Sequence, residues 1–538
     1  MAWFVDLFRK RNSDRERALR AVEYARQHEH RRLAAAFDAF VPYAESVEEG
    51  LLLGTANASD GRAVPIRLPY GQEQCHWATY GGTGSGKTTF VAGILRDMLC
   101  AGRPFGLADA KGDLFAMMLR WSAAIGHRLP EAEREKLRNR IVVLNPFGTH
   151  LVPMNVCRPF AGIPPEAQAF EVALALSRLF GNELSDNMQH VLRHLLLLLM
   201  DSALTLNEAP RILQDEVLRG ALAARSKNEA LREFFFGQYP LIPQVSKDAL
   251  QNRLQALLAA PPIRLMLGAD ALINFRVVFD HGLPLYIFLG RGAAASEEAT
   301  LTIGALIMQL AFQAAYSRGQ GAHAGYLLAA DEFSNLLESP GLARRFSTAL
   351  TSIRSFGLSL MLIGHHAAQM PPALRAIAIA NIDIVSLFRT SRANAAHFGD
   401  FLPDIDEETL AEALEHPSRN RSTLETSRRD QAHLIQQLPN RTCFWYDRRQ
   451  THGAIRIRVP DLEAPHKFAG VSEGELERIV SAEGWDIGAA WPKEVLQRQI
   501  DARAARLQEL VAPPVVVTER TEKRDGTRRR PRSRPSLG

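Results

Sequence analysis

Along most of this chain the apolar positions fall into two alternating patterns. Short unbroken apolar runs of roughly four to eight residues read as buried strands, and longer stretches with apolar residues three or four apart read as helices. The strand-like runs are 51–56 and 63–69, joined by a turn at Asp60-Gly61, then 76–80, 104–109, 141–145, 283–289, 325–333, 358–364, 382–389, 442–446 and 454–459. Helical spacing follows at Thr89 to Leu95, at Glu297 to Ser317 and again after 333. Strands alternating with helices imply a mostly parallel α/β sheet with its ligand at the carboxyl ends of the strands.

One region breaks the alternation. From about 160 to 270 the segments FEVALALSRLF, NMQHVLRHLLLLLMDSAL, DEVLRGALAA and KDALQNRLQALLAA are helical in period, with no convincing strand between them. The chain therefore divides into a charged helical segment at 1–48, a β lead-in at 49–75, a first part of the α/β domain at 76–158, an all-helical insertion at 159–272, a second part at 273–460, a helical segment at 461–512 and a tail at 513–538.

Composition changes this picture at the two ends. The net charge is +5, and the last twenty residues, Glu519 to Gly538, hold eight basic and three acidic residues, so the rest of the 538-residue chain is neutral overall. The tail has too little to bury and reads as disordered. It suits an electrostatic, non-specific contact with nucleic acid, or with an acidic protein or lipid surface. No apolar run approaches the ~18–20 residues of a membrane span, and no signal peptide precedes the domain. Trp3, Phe4, Leu7 and Phe8 followed by Arg9, Lys10 and Arg11 suit either peripheral contact with an anionic membrane or packing on a protein. Cys75, Cys100, Cys157 and Cys443 are scattered without metal-site spacing, which fits a reducing cytoplasm.

The chemistry is concentrated in two motifs. GGTGSGKTT at 81–89 fits a phosphate-binding loop between strand and helix. Gly82, Thr83, Gly84, Ser85, Gly86, Lys87, Thr88 and Thr89 are its candidate nucleotide-binding residues. Its glycines let backbone N–H groups curl around phosphates, Lys87 reaches the β- and γ-phosphates, and the Thr88 hydroxyl serves Mg²⁺. The run GYLLAADEF at 325–333 then delivers two carboxylates to a strand end. Asp331 is the second candidate for Mg²⁺, and Glu332 the candidate that polarises the attacking water. The motifs lie 331 − 87 = 244 residues apart, and the helical insertion accounts for that distance.

The ordered motifs resemble the coupling-protein ATPases of type IV secretion and conjugation, the TraG/TraD kind, within the FtsK–HerA superfamily. HWATYGGTGSGKT at 76–88, LADAKGDL at 107–114, LNPFG at 144–148, Met154-Asn155-Val156, DEFSNL at 331–336, IRSFGLSLMLIGHHAAQM at 353–370 and Asn381 to Asn394 carry the resemblance, over roughly 50 to 460. It implies a RecA-like P-loop NTPase fold, ATP and Mg²⁺ as ligands, and a homo-hexameric ring pumping single- or double-stranded DNA towards a secretion channel, with channel or relaxosome-type proteins as partners. Arg354 maps to an arginine finger that reaches a neighbouring subunit's γ-phosphate; the alternative is a surface arginine ending a helix. His365 stands where the family's sensor is normally Gln, with Gln369 as the other candidate, and Arg389 is a possible second sensor. Asp109, Lys111 and Asp113 fall beside the nucleotide crevice. Two departures stand out: the histidine at 365, and the lack of the membrane spans that open anchored members, which points to a cytoplasmic protein with at most peripheral contact at the inner face of the membrane. Readings that share the motor motifs are an ATPase energising protein transport or machine assembly, a HerA-like DNA-processing motor, and a nucleotide-gated docking module with weak hydrolysis.

Overall fold

The strand-like runs assemble into one sheet in a computed structural model that describes residues 37–159, 163–180, 184–290, 297–321, 323–337, 340–365, 370–391, 394–395, 434–450, 453–488 and 490–511. Trp3 to Arg11, Gln369 and the basic tail lie outside the described residues. The strands are β1 (Leu51–Asn57), β2 (Ala63–Leu68), β3 (Trp77–Tyr80), β4 (Phe105–Asp109), β5 (Val142–Leu144), β6 (His150–Leu151), β7 (Leu285–Phe288), β8 (Tyr326–Asp331), β9 (Leu358–Gly364), β10 (Ile384–Phe388), β11 (Thr442–Asp447), β12 (Ile455–Arg458) and β13 (Trp491–Pro492). Eleven of them form the order β2-β1-β12-β11-β10-β3-β9-β8-β4-β7-β5, while β6 and β13 make a separate pair.

From β10 to β5 every pairing is parallel. These strands are almost wholly apolar and buried, the signature of a sheet covered on both faces. From β10 outwards to β2 the pairings are antiparallel. The hairpin at 51–68 is thus not only a lead-in: β1 joins the sheet through β12.

Alternate residues of each strand feed two cores. Trp77 joins the core beneath the helices Lys87–Cys100 and Asp113–His127, whereas Ala78 and Tyr80 face the core shared with the helical region. Between Pro165 and Leu267 the described elements are all helical, from Pro165–Leu179 through Pro261–Leu267. Ser185, Asp215 and Asn228 each accept a backbone N–H as N-caps of successive helices there.

The C-terminal helices bind the two parts together. Trp485 is buried against Gly126 of the helix Asp113–His127. Farther along, the helix Lys493–Val511 carries Arg503, whose guanidinium is buried in the helical region, donating to Glu208 Oε1 at 3.1 Å, to Thr205 Oγ1 at 3.4 Å, to Asp270 and to the Gly268 carbonyl. No helix of the described residues is long and apolar enough to cross a membrane.

Candidate active site

Strand β3 ends at Tyr80 and the glycine loop leads directly into the helix Lys87–Cys100, which begins two residues before the sequence pattern suggested. Neighbouring backbone pins the loop. Gly81 N–H donates to the Gly364 carbonyl (3.3 Å), Gly82 N–H to the Arg389 carbonyl (2.8 Å), and Arg441 N–H donates to the Ser85 carbonyl (2.7 Å). Gly86 has φ of 106°, and a Cβ there would sit 2.8 Å from Arg441 Cα, so both conformation and space demand glycine. No side chain caps the helix. Its first-turn N–H groups lack intrahelical partners and, with the helix dipole behind them, are suited to an anion.

The acidic motif reaches the same end of the sheet because β8, β9 and β3 run parallel, with Asp331 opposite Ile363 and Tyr80 opposite Gly364. Asp331 ends β8; Glu332 lies past it in a left-handed conformation (φ 50°), rare for a non-glycine residue and a form of strain that clusters at functional sites. Burial, reinforced by neighbouring Asp109, pushes the Asp331 carboxyl up from 3.8 to about 7. Asp109 itself is spent on structure: its oxygens accept the N–H groups of Lys111 (2.7 Å), Gly112 (2.8 Å) and Phe115 (2.8 Å). Lys111 and Asp113 pair with each other at 2.5 Å and lie on the cleft wall.

His365 follows the end of β9 and joins the two motifs. Its Nε2 lies 2.7 Å from Glu332 Oε1, and its Nδ1 lies 3.0 Å from the Gly81 carbonyl. With an acceptor at each ring nitrogen the charged imidazolium is favoured. The Glu332 bond outweighs burial and raises the His365 pKa. Burial alone would raise Glu332, but His365 and Lys87 together hold its carboxyl below the ordinary value. Lys87 is buried, and burial lowers its pKa against the pull of Glu332 and Asp331. Its Nζ stands 3.4 Å from His365 Nδ1. That nitrogen cannot accept from lysine while it donates to Gly81, so the contact is a close approach of two cations over one pair of carboxylates.

A cleft of about 910 Å³ contains the whole loop from Gly82 to Thr89 together with Asp331, Glu332 and His365. Arg354 is elsewhere. It precedes β9 at the opposite, N-terminal end of the parallel strands, donates to Asp383 Oδ2 at 2.6 Å and keeps 56% of its side chain exposed. His76 also belongs to that end: its Nδ1 accepts the Leu360 N–H at 3.0 Å, and burial holds it at about 4, neutral. Arg389 meets the loop through its carbonyl, with its side chain exposed. Sequence reasoning missed the far wall of the cleft, where Asn440, Arg441, Arg458 and Asp461 stand at the ends of β11 and β12. Those strands were legible, but which end of the sheet their flanks would line was not.

No family model and no curated protein matches the sequence. Among solved structures the fold is similar to an unbound form of the bacterial conjugative coupling protein TrwB, with 14% identity, TM-score 0.47, and 78% of this chain and 91% of that chain covered. It is similar too to VirB4 of Thermoanaerobacter pseudethanolicus, with 13% identity, TM-score 0.48, and 77% and 97% covered. A third is the plasmid coupling protein TrwB in complex with ADP and Mg²⁺, at 14% identity and TM-score 0.46, with 76% and 90% covered. The chain's own topology, a parallel sheet with the glycine loop after β3 and the acidic pair at the end of β8, is that of a RecA-like P-loop NTPase fold.

Proposed function

We propose that this chain is an ATP-hydrolysing motor of the coupling-protein kind, working as a homo-hexameric ring that moves DNA or a nucleoprotein. The observation that carries the hydrolytic part is the convergence, across 244 residues of chain (331 − 87), of Lys87, Asp331, Glu332 and His365 on one cleft. The donor set suits Mg²⁺: a hydroxyl at Thr88 and a buried carboxylate at Asp331 that is costly to ionise without a cation. When bound, the ion neutralises phosphate charge.

The chain's own residues account for the rest. Loop N–H groups and the helix start hold the phosphates, and Lys87, already desolvated, bonds their terminal oxygens. Glu332, kept ionised by its neighbours, accepts a proton from the attacking water. His365 holds Glu332 against the loop carbonyl in the resting site and takes the sensor role, donating to phosphate or to Glu332. Arg354 serves the neighbouring subunit's site. Phosphate release measured with and without single- and double-stranded DNA at low salt tests the reading. Turnover that needs Lys87 and rises with DNA supports it. Turnover indifferent to DNA leaves an ATPase and removes the DNA-moving role.

A further inference from the structure

We propose that the wall formed by Asn440, Arg441, Arg458 and Asp461 is the nucleoside subsite of the cleft, in which Arg441 stacks on the base and Asp461 accepts from the ribose hydroxyls. The inference rests on the nucleotide-binding reading and adds a substrate class, nucleoside triphosphates taken with little preference between bases.

The direction of a bound triphosphate follows from the two ends of the cleft. Lys87 and Glu332 mark the terminal phosphate, and the loop cradles the phosphates behind it. The remaining volume lies between the loop and the antiparallel extension of the sheet. Arg441 is anchored there as part of the loop's scaffold. Its N–H donates to Ser85 at 2.7 Å, its carbonyl accepts from Val459 N–H at 2.8 Å, and its φ of 60° is left-handed. Its backbone and the start of its side chain are thereby held beside Gly86, and its guanidinium pairs with Asp461.

That pair is open to solvent, with 50% of the Arg441 and 79% of the Asp461 side chain exposed. Such a pair is weak, so a ligand displaces it at small cost. No aromatic side chain lines the cleft among the described residues. A base entering it has only the planar guanidinium to stack on, with Pro460 beside it. Every base offers a π-face, so stacking of this sort separates purines poorly. The carboxylate of Asp461 accepts hydrogen bonds only, which matches ribose hydroxyls and not phosphate.

Equilibrium binding of the full chain to ATP, GTP, 2′,3′-dideoxy-ATP and tripolyphosphate, each with Mg²⁺, tests this. The wild type should bind ATP and GTP within about threefold, and tripolyphosphate about tenfold or more weakly. Arg441→Ala and Arg441→Lys should both lower ATP and GTP affinity, the alanine variant by about tenfold, without changing tripolyphosphate. Asp461→Asn should weaken ATP and leave dideoxy-ATP unchanged. Tripolyphosphate binding that falls in step with ATP in Arg441→Lys, or ATP binding untouched by either Arg441 change, overturns the subsite. If Lys87→Ala leaves ATP binding intact, it is the nucleotide reading itself that fails.

Discussion

Two buried cations in this molecule are held in opposite ways. Arg503, 1% exposed, meets Glu208, Asp270, Thr205 and the Gly268 carbonyl, so its guanidinium is spent within the protein. Lys87, 5% exposed, has as its one close polar neighbour among the described residues a histidine nitrogen already engaged with Gly81. A buried charge that is fully bonded contributes to the fold, and one left short of partners is costly unless a ligand completes it. The comparison separates the clamp of the C-terminal helix from the site of chemistry without any appeal to motif.

The largest effects should come from the incomplete site. Lys87→Ala and Glu332→Gln are each expected to lower ATP turnover by about 10²–10⁴-fold. Thermal melting of Lys87→Ala without nucleotide should stay at or above wild type, because it removes a charge that burial disfavours. Glu332→Gln should melt somewhat lower, because the folded state favours its carboxylate through His365 and Lys87. Turnover and melting temperature falling together in Lys87→Ala would break the distinction.

The complete site should answer in the other currency. Arg503→Ala leaves Glu208 buried without its partner, and loss of one member of a buried pair costs about 3–5 kcal/mol. A urea titration should show the helical region losing its transition early, while the variant, folded at low temperature, keeps ATP turnover within about twofold, since Arg503 lies outside the cleft. A hydrophobic replacement of both Arg503 and Glu208 should recover part of the loss.

Lys87 and Arg503 also differ in how far the chain reveals them. The loop, the strand ending in Asp331 and the helical stretch at 160–270 were all legible, because phosphate binding and burial each impose a local residue pattern. Arg503 was not: one arginine in a charged helix carries no mark of its burial, and its partners lie 233 to 298 positions away. Arg441 is hidden for the same reason, since its role comes from the antiparallel packing of β11 and β12 against β1 and the loop. The pattern put Asp109 beside the crevice without giving it a role, and its carboxylate caps the following turn and helix.

A smaller effect, with a definite sign, belongs to Asp331. Its carboxyl is raised from 3.8 to about 7, so the folded state favours the neutral form. The stability this supplies is fully present below about pH 4 and is lost as pH rises through about 7. Asp331→Asn mimics the neutral form. Without nucleotide it should therefore melt above the wild type at pH 8, with the difference shrinking through pH 7 and gone near pH 4. A difference that grows towards acid would place Asp331 in a paired, ionised state and remove it from the incompletely bonded set.

The smallest expected signal comes from the end of the parallel strands opposite the cleft. Arg354 pairs there with Asp383 and is 56% exposed, so Arg354→Ala should cost no more than about 1 kcal/mol of stability. The length of β9, seven residues at roughly 3.3 Å each, puts it about 20 Å from the loop of its own chain. If turnover nevertheless falls in this variant, the guanidinium acts on another subunit's nucleotide. Mixing equal amounts of Arg354→Ala and Glu332→Gln chains then regenerates intact interfaces, roughly a quarter of the total if subunits assort at random and sites act independently. Activity should rise to about that fraction of wild type from two inactive parents. No recovery at any mixing ratio, with assembly confirmed by sedimentation, would return Arg354 to a surface residue whose pairing with Asp383 is its whole role, and would leave the cleft of each chain to work without its neighbour.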